Sequence, residues 1–164
     1  MNKASGKLKK IQELCLSENI MITTAESCTG GYLSKLLTDV SGSSEFYAGS
    51  VIAYSNNVKN ELLNVPNDIL EKYGAVSIEV SLLMAEGVFN SINSEIAIST
   101  TGVMELDSST RSKKPQVFIT IRSEKTHVSS HFYLHDERDV NRKKTVNHAL
   151  DCLYDFINNH YLVS

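Results

Sequence analysis

The chain of 164 residues has no tryptophan, only two prolines and only three cysteines. Cys15, Cys28 and Cys152 are an odd number, widely scattered and without a CxxC pair, so neither a disulfide framework nor a zinc site is indicated. No stretch approaches the ~18 consecutive apolar residues of a membrane span, and the polar opening MNKASGKLKKIQ lacks the apolar core of a signal peptide. A cytoplasmic protein without a membrane partner is expected. Charge of one sign is lacking too: the net charge is -3 and no dense basic stripe is present, which removes the electrostatic footprint for gripping a nucleic-acid backbone. The basic clusters KLKK near the start and RKK at 142 to 144 read as solvated helix faces.

What is present is an interleaving of helical and strand patterns. Leu8, Ile11, Leu14 and Cys15 share one helical face, and residues 20 to 24 read as a short buried strand. Tyr32, Leu33, Leu36 and Leu37 fit a second helix, ending before the turn-rich VSGSS at 40 to 44. Residues 47 to 55 and 95 to 103 are β-rich, while 116 to 123 and 127 to 134 predict a strand pair turning at Glu124 and Lys125. Pro66 opens a short helix that Gly74 closes, and Ser77 caps the next, whose predicted core stripe is Ile78, Leu82, Ala85, Phe89 and Ile92. Val146, Ala149, Leu150, Leu153, Phe156 and Ile157 line a final helix. Cys15 and Cys152 read as small hydrophobes on apolar faces. The length fits one domain, 1 to 164, and the pattern predicts an α/β fold: a three-layer α/β/α sandwich around a mixed β-sheet.

The segment TTAESCTGGYLSKLL, 23 to 37, falls where the first strand meets the second helix. In open α/β sheets the ligand crevice lies beyond the carboxyl ends of the strands. A helix beginning near Thr29 would aim free N–H groups at that crevice, and Gly30 and Gly31 would admit a ligand close to the backbone. The turn suits an anion. Ser27 is a helix cap on one reading and a nucleophile on the other. The five histidines all fall late in the chain, and His127 and His131, four apart in a strand, have no carboxylate at ligand spacing, so neither a Ser-His-Asp triad nor a metal site is indicated. Lys59, just past the second strand, is the base with the best placement, and Tyr54 could orient it. The alternative is an exposed helix lysine beside a half-buried tyrosine.

TAESCTGGYLSKLLTDVSGSS, VIAYSNNVKNELLNV and YGAVSIEVSLLMAEG, in this order, resemble the carboxy-terminal domain of the competence/damage-inducible CinA family, whose stand-alone members are PncC-type nicotinamide-nucleotide amidases. The resemblance implies hydrolysis of nicotinamide mononucleotide to nicotinate mononucleotide and ammonia, in pyridine-nucleotide salvage. It also implies a homo-oligomer whose partner is a small-molecule nucleotide, with no metal or organic cofactor. It assigns Ser27 as nucleophile, Lys59 as general base and Tyr54 as supporting hydroxyl. Glu26, Thr29, Gly30, Gly31, Thr101, Gly102, Arg138 and Arg142 are the expected substrate contacts, with Glu26 and Thr29 either shaping the turn or touching the ribose phosphate. Cys28 is expected to pack.

The pattern departs at one loop. Where the family carries TGIAGP and then KPVG, this chain has TGVMELDSSTRSKKPQVF: Thr101, Gly102, Lys114 and Pro115 remain, Met104, Glu105 and Leu106 replace Ala-Gly-Pro, and no glycine follows Gly102. The segment reads as a polar surface loop. Asp136 likewise replaces a glycine ahead of Arg138 and Arg142. Glu105 and Asp107 would place negative charge beside a phosphate. Two readings follow, an active amidase and a homologue without turnover that binds nucleotides or acts as an interaction protein.

Overall fold

The computed structural model describes residues 3–106 and 112–163. Helix α1 (Lys3–Glu18) leads into strand β1 (Ile22–Glu26), then α2 (Tyr32–Thr38), a 3-10 turn (Ser43–Glu45) and β2 (Tyr47–Ile52). Three helices follow, α3 (Asn56–Leu63), α4 (Asn67–Tyr73) and α5 (Ile78–Ser91). The chain then runs through β3 (Ile96–Val103), β4 (Gln116–Arg122) and β5 (His127–Tyr133) into α6 (Arg138–Phe156) and a closing π-turn (Ile157–Tyr161). The strands form one sheet in the order β2-β1-β3-β4-β5. β1 is parallel to both β2 and β3, whereas β3–β4 and β4–β5 are antiparallel. The expected mixed sheet between two helical layers is what forms.

Period-two alternation sorts the two faces. Ile22, Ile96, Ile98, Val117, Ile119 and Ile121 point into one core, packed against α1, α2 and α6. Ala25, Ala53 and Ala97 point the other way, under α3, α4 and α5. That second face is lined by small and hydroxylated side chains, and the Ser81 hydroxyl of α5 bonds Ser99 of β3 and Thr120 of β4 at 3.0 and 2.9 Å. Small residues let α5 approach the sheet closely. Gly87 extends the same logic to α3, because a Cβ there would lie 2.1 Å from the Leu63 carbonyl oxygen.

This close packing rotates α5 away from the stripe predicted for it. Val80, Ser81, Met84, Ala85, Gly87 and Val88 are buried, while Ile78 is 46% exposed. The buried face sets Ser81 and Gly87 among Val80, Met84, Ala85 and Val88, so a stripe drawn through Ile78, Leu82 and Phe89 is turned away from it. The Ser77 cap is as expected, its hydroxyl accepting from Val80 N at 3.3 Å. Pro66 and Gly74 bracket α4, with Gly74 at φ 79. Cys15 is fully buried, but Cys152 is only half-buried, its helix face opening beside β5. Among the described residues no helix is long and apolar enough to cross a membrane.

Gly87→Ala is expected to cost at least about 1–3 kcal/mol, because the methyl meets backbone that no rotamer change can move. Gly6→Ala, in α1 with nothing within 4 Å of the new Cβ, is expected to gain about 0.5–1 kcal/mol. Urea unfolding of both variants measures the pair.

Candidate active site

β1 lies between β2 and β3, and its chain leaves toward β2 while that of β3 leaves toward β4 on the other side. This is the switch point at which an open α/β sheet leaves a crevice beyond its strand ends. Ser27 follows β1 directly. Its N–H donates to the Thr100 carbonyl at 2.9 Å, and the Glu26 carbonyl accepts from Ala53 N at 2.8 Å, so the ends of β1, β2 and β3 are tied around it.

Adjacent residues of a strand face opposite ways, and the pair Glu26–Ser27 uses that alternation. Ser27 turns toward α3. Glu26, 0% exposed, turns under α2, where its carboxylate accepts from Gly31 N at 3.0 Å, Leu33 N at 3.1 Å and Ser34 N at 2.8 Å, and from the Ser34 hydroxyl. The anion held by the second helix is therefore the protein's own Glu26. The expectation that this helix starts near Thr29 and offers free N–H groups to a substrate is corrected on both points: it starts at Tyr32, and its donors are occupied. Glu26 shapes the turn and does not line the cavity beside Ser27. Thr29 is buried as well, its hydroxyl 2.7 Å from that of Thr100. Gly30 and Gly31 adopt φ 61 and 92, which the turn requires and an L side chain resists. They line no cavity among the described residues.

Lys59 occupies the first turn of α3, whose start is set by Ser55 accepting from Val58 N at 3.3 Å. A helical side chain leans toward the helix amino terminus, which brings the Lys59 Nζ back to the β2–α3 turn. There it donates to Ser27 Oγ at 3.0 Å, Ala53 O at 2.9 Å and Tyr54 O at 3.1 Å. At 1% exposure it is a core residue, not a solvated helix lysine. Burial lowers its pKa from 10.5 to about 8, because desolvation disfavours the charged form.

The predicted trio converges on one cavity of about 230 Å³, lined by Ser27, Tyr54, Lys59, Thr101, Glu105 and Arg138 among others. The Tyr54 contribution differs from expectation. Its backbone carbonyl holds Lys59, while its hydroxyl, on a ring 60% exposed, accepts from Arg138 Nη2 at 2.8 Å. Thr101 donates to the Ala75 carbonyl at 2.7 Å and so braces the cavity wall. Gly102 lines the cavity too, yet what requires glycine there is β4, since a Cβ would lie 2.5 Å from the Gln116 carbonyl oxygen. Arg142, one turn beyond Arg138, does not line the cavity, and its Nε is buried without a hydrogen-bond partner. Cys28 is buried and its thiol is pushed up to about 12 by desolvation, so it packs as a neutral thiol beside the serine.

Two features escaped the sequence reading. Met104 is buried in the larger core rather than on a surface loop; Glu105 and Leu106 are exposed, and residues 107 to 111, with Asp107, lie outside the described residues. Asn141, fully buried, donates to the Met104 carbonyl at 2.7 Å and the Asp136 carbonyl at 2.5 Å, and accepts from Asp136 N at 3.1 Å. An asparagine on an otherwise apolar helical face was the available signal. His127 and His131 do lie on β5, where His131 stacks on Phe118 with ring centroids 4.2 Å apart.

The sequence profile of the CinA C-terminal domain matches residues 5–157. The chain belongs to the CinA C-terminal domain family. A CinA-like protein of Cytophaga hutchinsonii is 40% identical over 136 residues, covering 82% of this chain and 32% of that protein. A CinA-like protein of Leptospira interrogans serogroup Icterohaemorrhagiae serovar copenhageni is 38% identical over 128 residues, 76% of this chain and 31% of its own length. The chain thus spans about a third of the curated relatives it matches. The fold is shared with competence damage-inducible protein A (ComA) of Klebsiella pneumoniae subsp. pneumoniae MGH 78578, at TM-score 0.92 and 22% identity over 97% of this chain and 99% of that one. It is also shared with the competence/damage inducible protein CihA of Agrobacterium tumefaciens, at TM-score 0.88 and 27% identity over 94% and 95%.

The depressed Lys59 fixes the sign of a pH effect on stability. Between pH 8 and 10.5 the unfolded chain holds a proton on this lysine that the folded chain has released, so its contribution rises with pH across that window, with a slope of up to about 1.4 kcal/mol per unit. Lys59→Met is expected to remove that slope. The difference between wild-type and variant denaturation midpoints, taken from pH 7 to 10.5, measures it.

Proposed function

We propose that the chain is an amidase of the Ser-Lys type that converts nicotinamide mononucleotide to nicotinate mononucleotide and ammonia. The observation that carries this reading is the buried Lys59 Nζ, 3.0 Å from Ser27 Oγ at the wall of a cavity. A serine needs a base, and a desolvated lysine with a pKa near neutrality is a suitable one.

The steps follow from the proton count. Neutral Lys59 keeps two N–H donors for the carbonyls of Ala53 and Tyr54, which leaves its lone pair for the Ser27 hydroxyl proton. Ser27 Oγ attacks the carboxamide carbon as Lys59 takes that proton, giving a tetrahedral intermediate with the negative charge on the former amide oxygen. Lys59 then returns the proton to the amide nitrogen, the C–N bond breaks and ammonia leaves an ester on Ser27. Water, deprotonated by the same amine, hydrolyses the ester, releasing nicotinate mononucleotide and restoring the serine. Arg138 supplies the positive charge for the phosphate, displacing its hydrogen bond to Tyr54.

Glu105 at the same cavity favours the second reading, a homologue that binds a nucleotide without turning it over. Ammonia release from nicotinamide mononucleotide by the purified chain decides between them. Turnover should fall at least about 10³-fold in Ser27→Ala and in Lys59→Ala, and kcat/KM should rise with pH and level off above about 8, as Lys59 loses its proton. Saturable binding with no turnover in the wild type would support the non-catalytic reading, and full activity in Ser27→Ala would remove the serine mechanism.

A further inference from the structure

Beside the reaction cavity lies a larger one of about 700 Å³. The two share Ala75, Val76 and Val103 in their walls. A volume of about 230 Å³ is below the roughly 300–1,000 Å³ ordinary for ligand sites, whereas the neighbour lies within that range. The reaction cavity alone is thus small for a complete ligand.

The larger cavity differs in chemistry as well as in size. It is lined by the amides of Asn56, Asn67 and Gln116, the hydroxyl of Ser112, the ring of Tyr73 and the carboxylate of Glu71. Among the described residues no lysine or arginine faces it. Glu71 places a carboxylate in this wall, which disfavours a phosphate beside it. Amides, a hydroxyl and an aromatic ring are instead the groups that recognise hydroxyls and the edge and face of a heterocyclic base. Gln116 is fixed in place, its Nε2 donating to Ser112 Oγ at 2.8 Å and its Oε1 2.8 Å from His131 Nε2, so that its second N–H and second lone pair are what a ligand would meet.

We propose that this cavity is a second subsite, which takes an uncharged nucleoside-like group carried beyond the phosphate at Arg138. The preferred ligand is then a dinucleotide whose amide-bearing half occupies the reaction cavity. The proposal rests on the nucleotide reading of that cavity.

The test is calorimetric binding to Ser27→Ala protein, which separates affinity from turnover. The probes are nicotinamide mononucleotide and the dinucleotide that joins it to an adenosine monophosphate through a pyrophosphate. The dinucleotide is expected to bind about tenfold tighter, a gain equivalent to about 1.4 kcal/mol. Asn67→Trp, which fills the larger cavity from the exposed start of α4, is expected to remove the difference between the two probes. Equal or weaker binding of the dinucleotide, with the mononucleotide bound, overturns the second subsite alone. A difference that persists in Asn67→Trp overturns it too. Binding of neither probe overturns the nucleotide reading and the subsite together.

Discussion

The site depends on an amine buried where a charge is expensive. Transferring an ammonium out of water costs several kcal/mol unless every proton finds an acceptor, and Lys59 finds three in Ser27 Oγ, Ala53 O and Tyr54 O. The neutral amine is equally well served, with two N–H groups on the carbonyls and a lone pair on the serine proton. No polar group is orphaned in either state. Desolvation is what separates the two, so burial moves the pKa toward neutrality instead of breaking the fold. The acceptors hold their places only because the three parallel strand ends are cross-tied, through Ala53 N to Glu26 O and Ser27 N to Thr100 O.

Those ties explain why the turn after β1 divides its labour as it does. Glu26 and Ser27 are neighbours in sequence and sit on opposite faces of the sheet, one binding the second helix and the other facing the cavity. The charge of Glu26 answers the positive end of α2, which removes that end as a substrate site. An anionic substrate must then be met from another element, and among the described residues Arg138 at the start of α6 is the arginine lining the cavity. The turn fixes Ser27, and the positive charge at the cavity comes from the far end of the chain.

Much of this was legible in the sequence where a rule has a strict period. Alternation in the strands, caps such as Ser77 and the apolar stripe of α6 gave the mixed sheet and both helical layers. The convergence of Ser27 and Lys59 was legible through the family resemblance and the placement of both residues after strand ends. What stayed hidden depends on close approach. The orientation of α5 is set by Ser81 and Gly87, whose close contacts carry no hydrophobic signal, although Val80, Met84 and Val88 share their face, and Gly102 answers to strand β4 instead of a ligand. Tyr54 was read as a hydroxyl when its carbonyl is the group that matters to Lys59, a role that any residue type could fill and that no sequence pattern announces.

The start of the rewritten loop, at Met104, is anchored more firmly than its composition suggests. Glycine-rich segments shape a cradle by backbone freedom, and Met-Glu-Leu cannot do so. Here Met104 enters the core, its sulfur 3.9 Å from the Thr145 hydroxyl, and its carbonyl is held by Asn141. The same amide holds both backbone groups of Asp136, two residues before Arg138. One buried side chain therefore sets the loop that carries Glu105 and the helix start that carries Arg138. The two opposite charges facing the cavity are therefore positioned together, through the Asn141 amide that holds Met104 and Asp136.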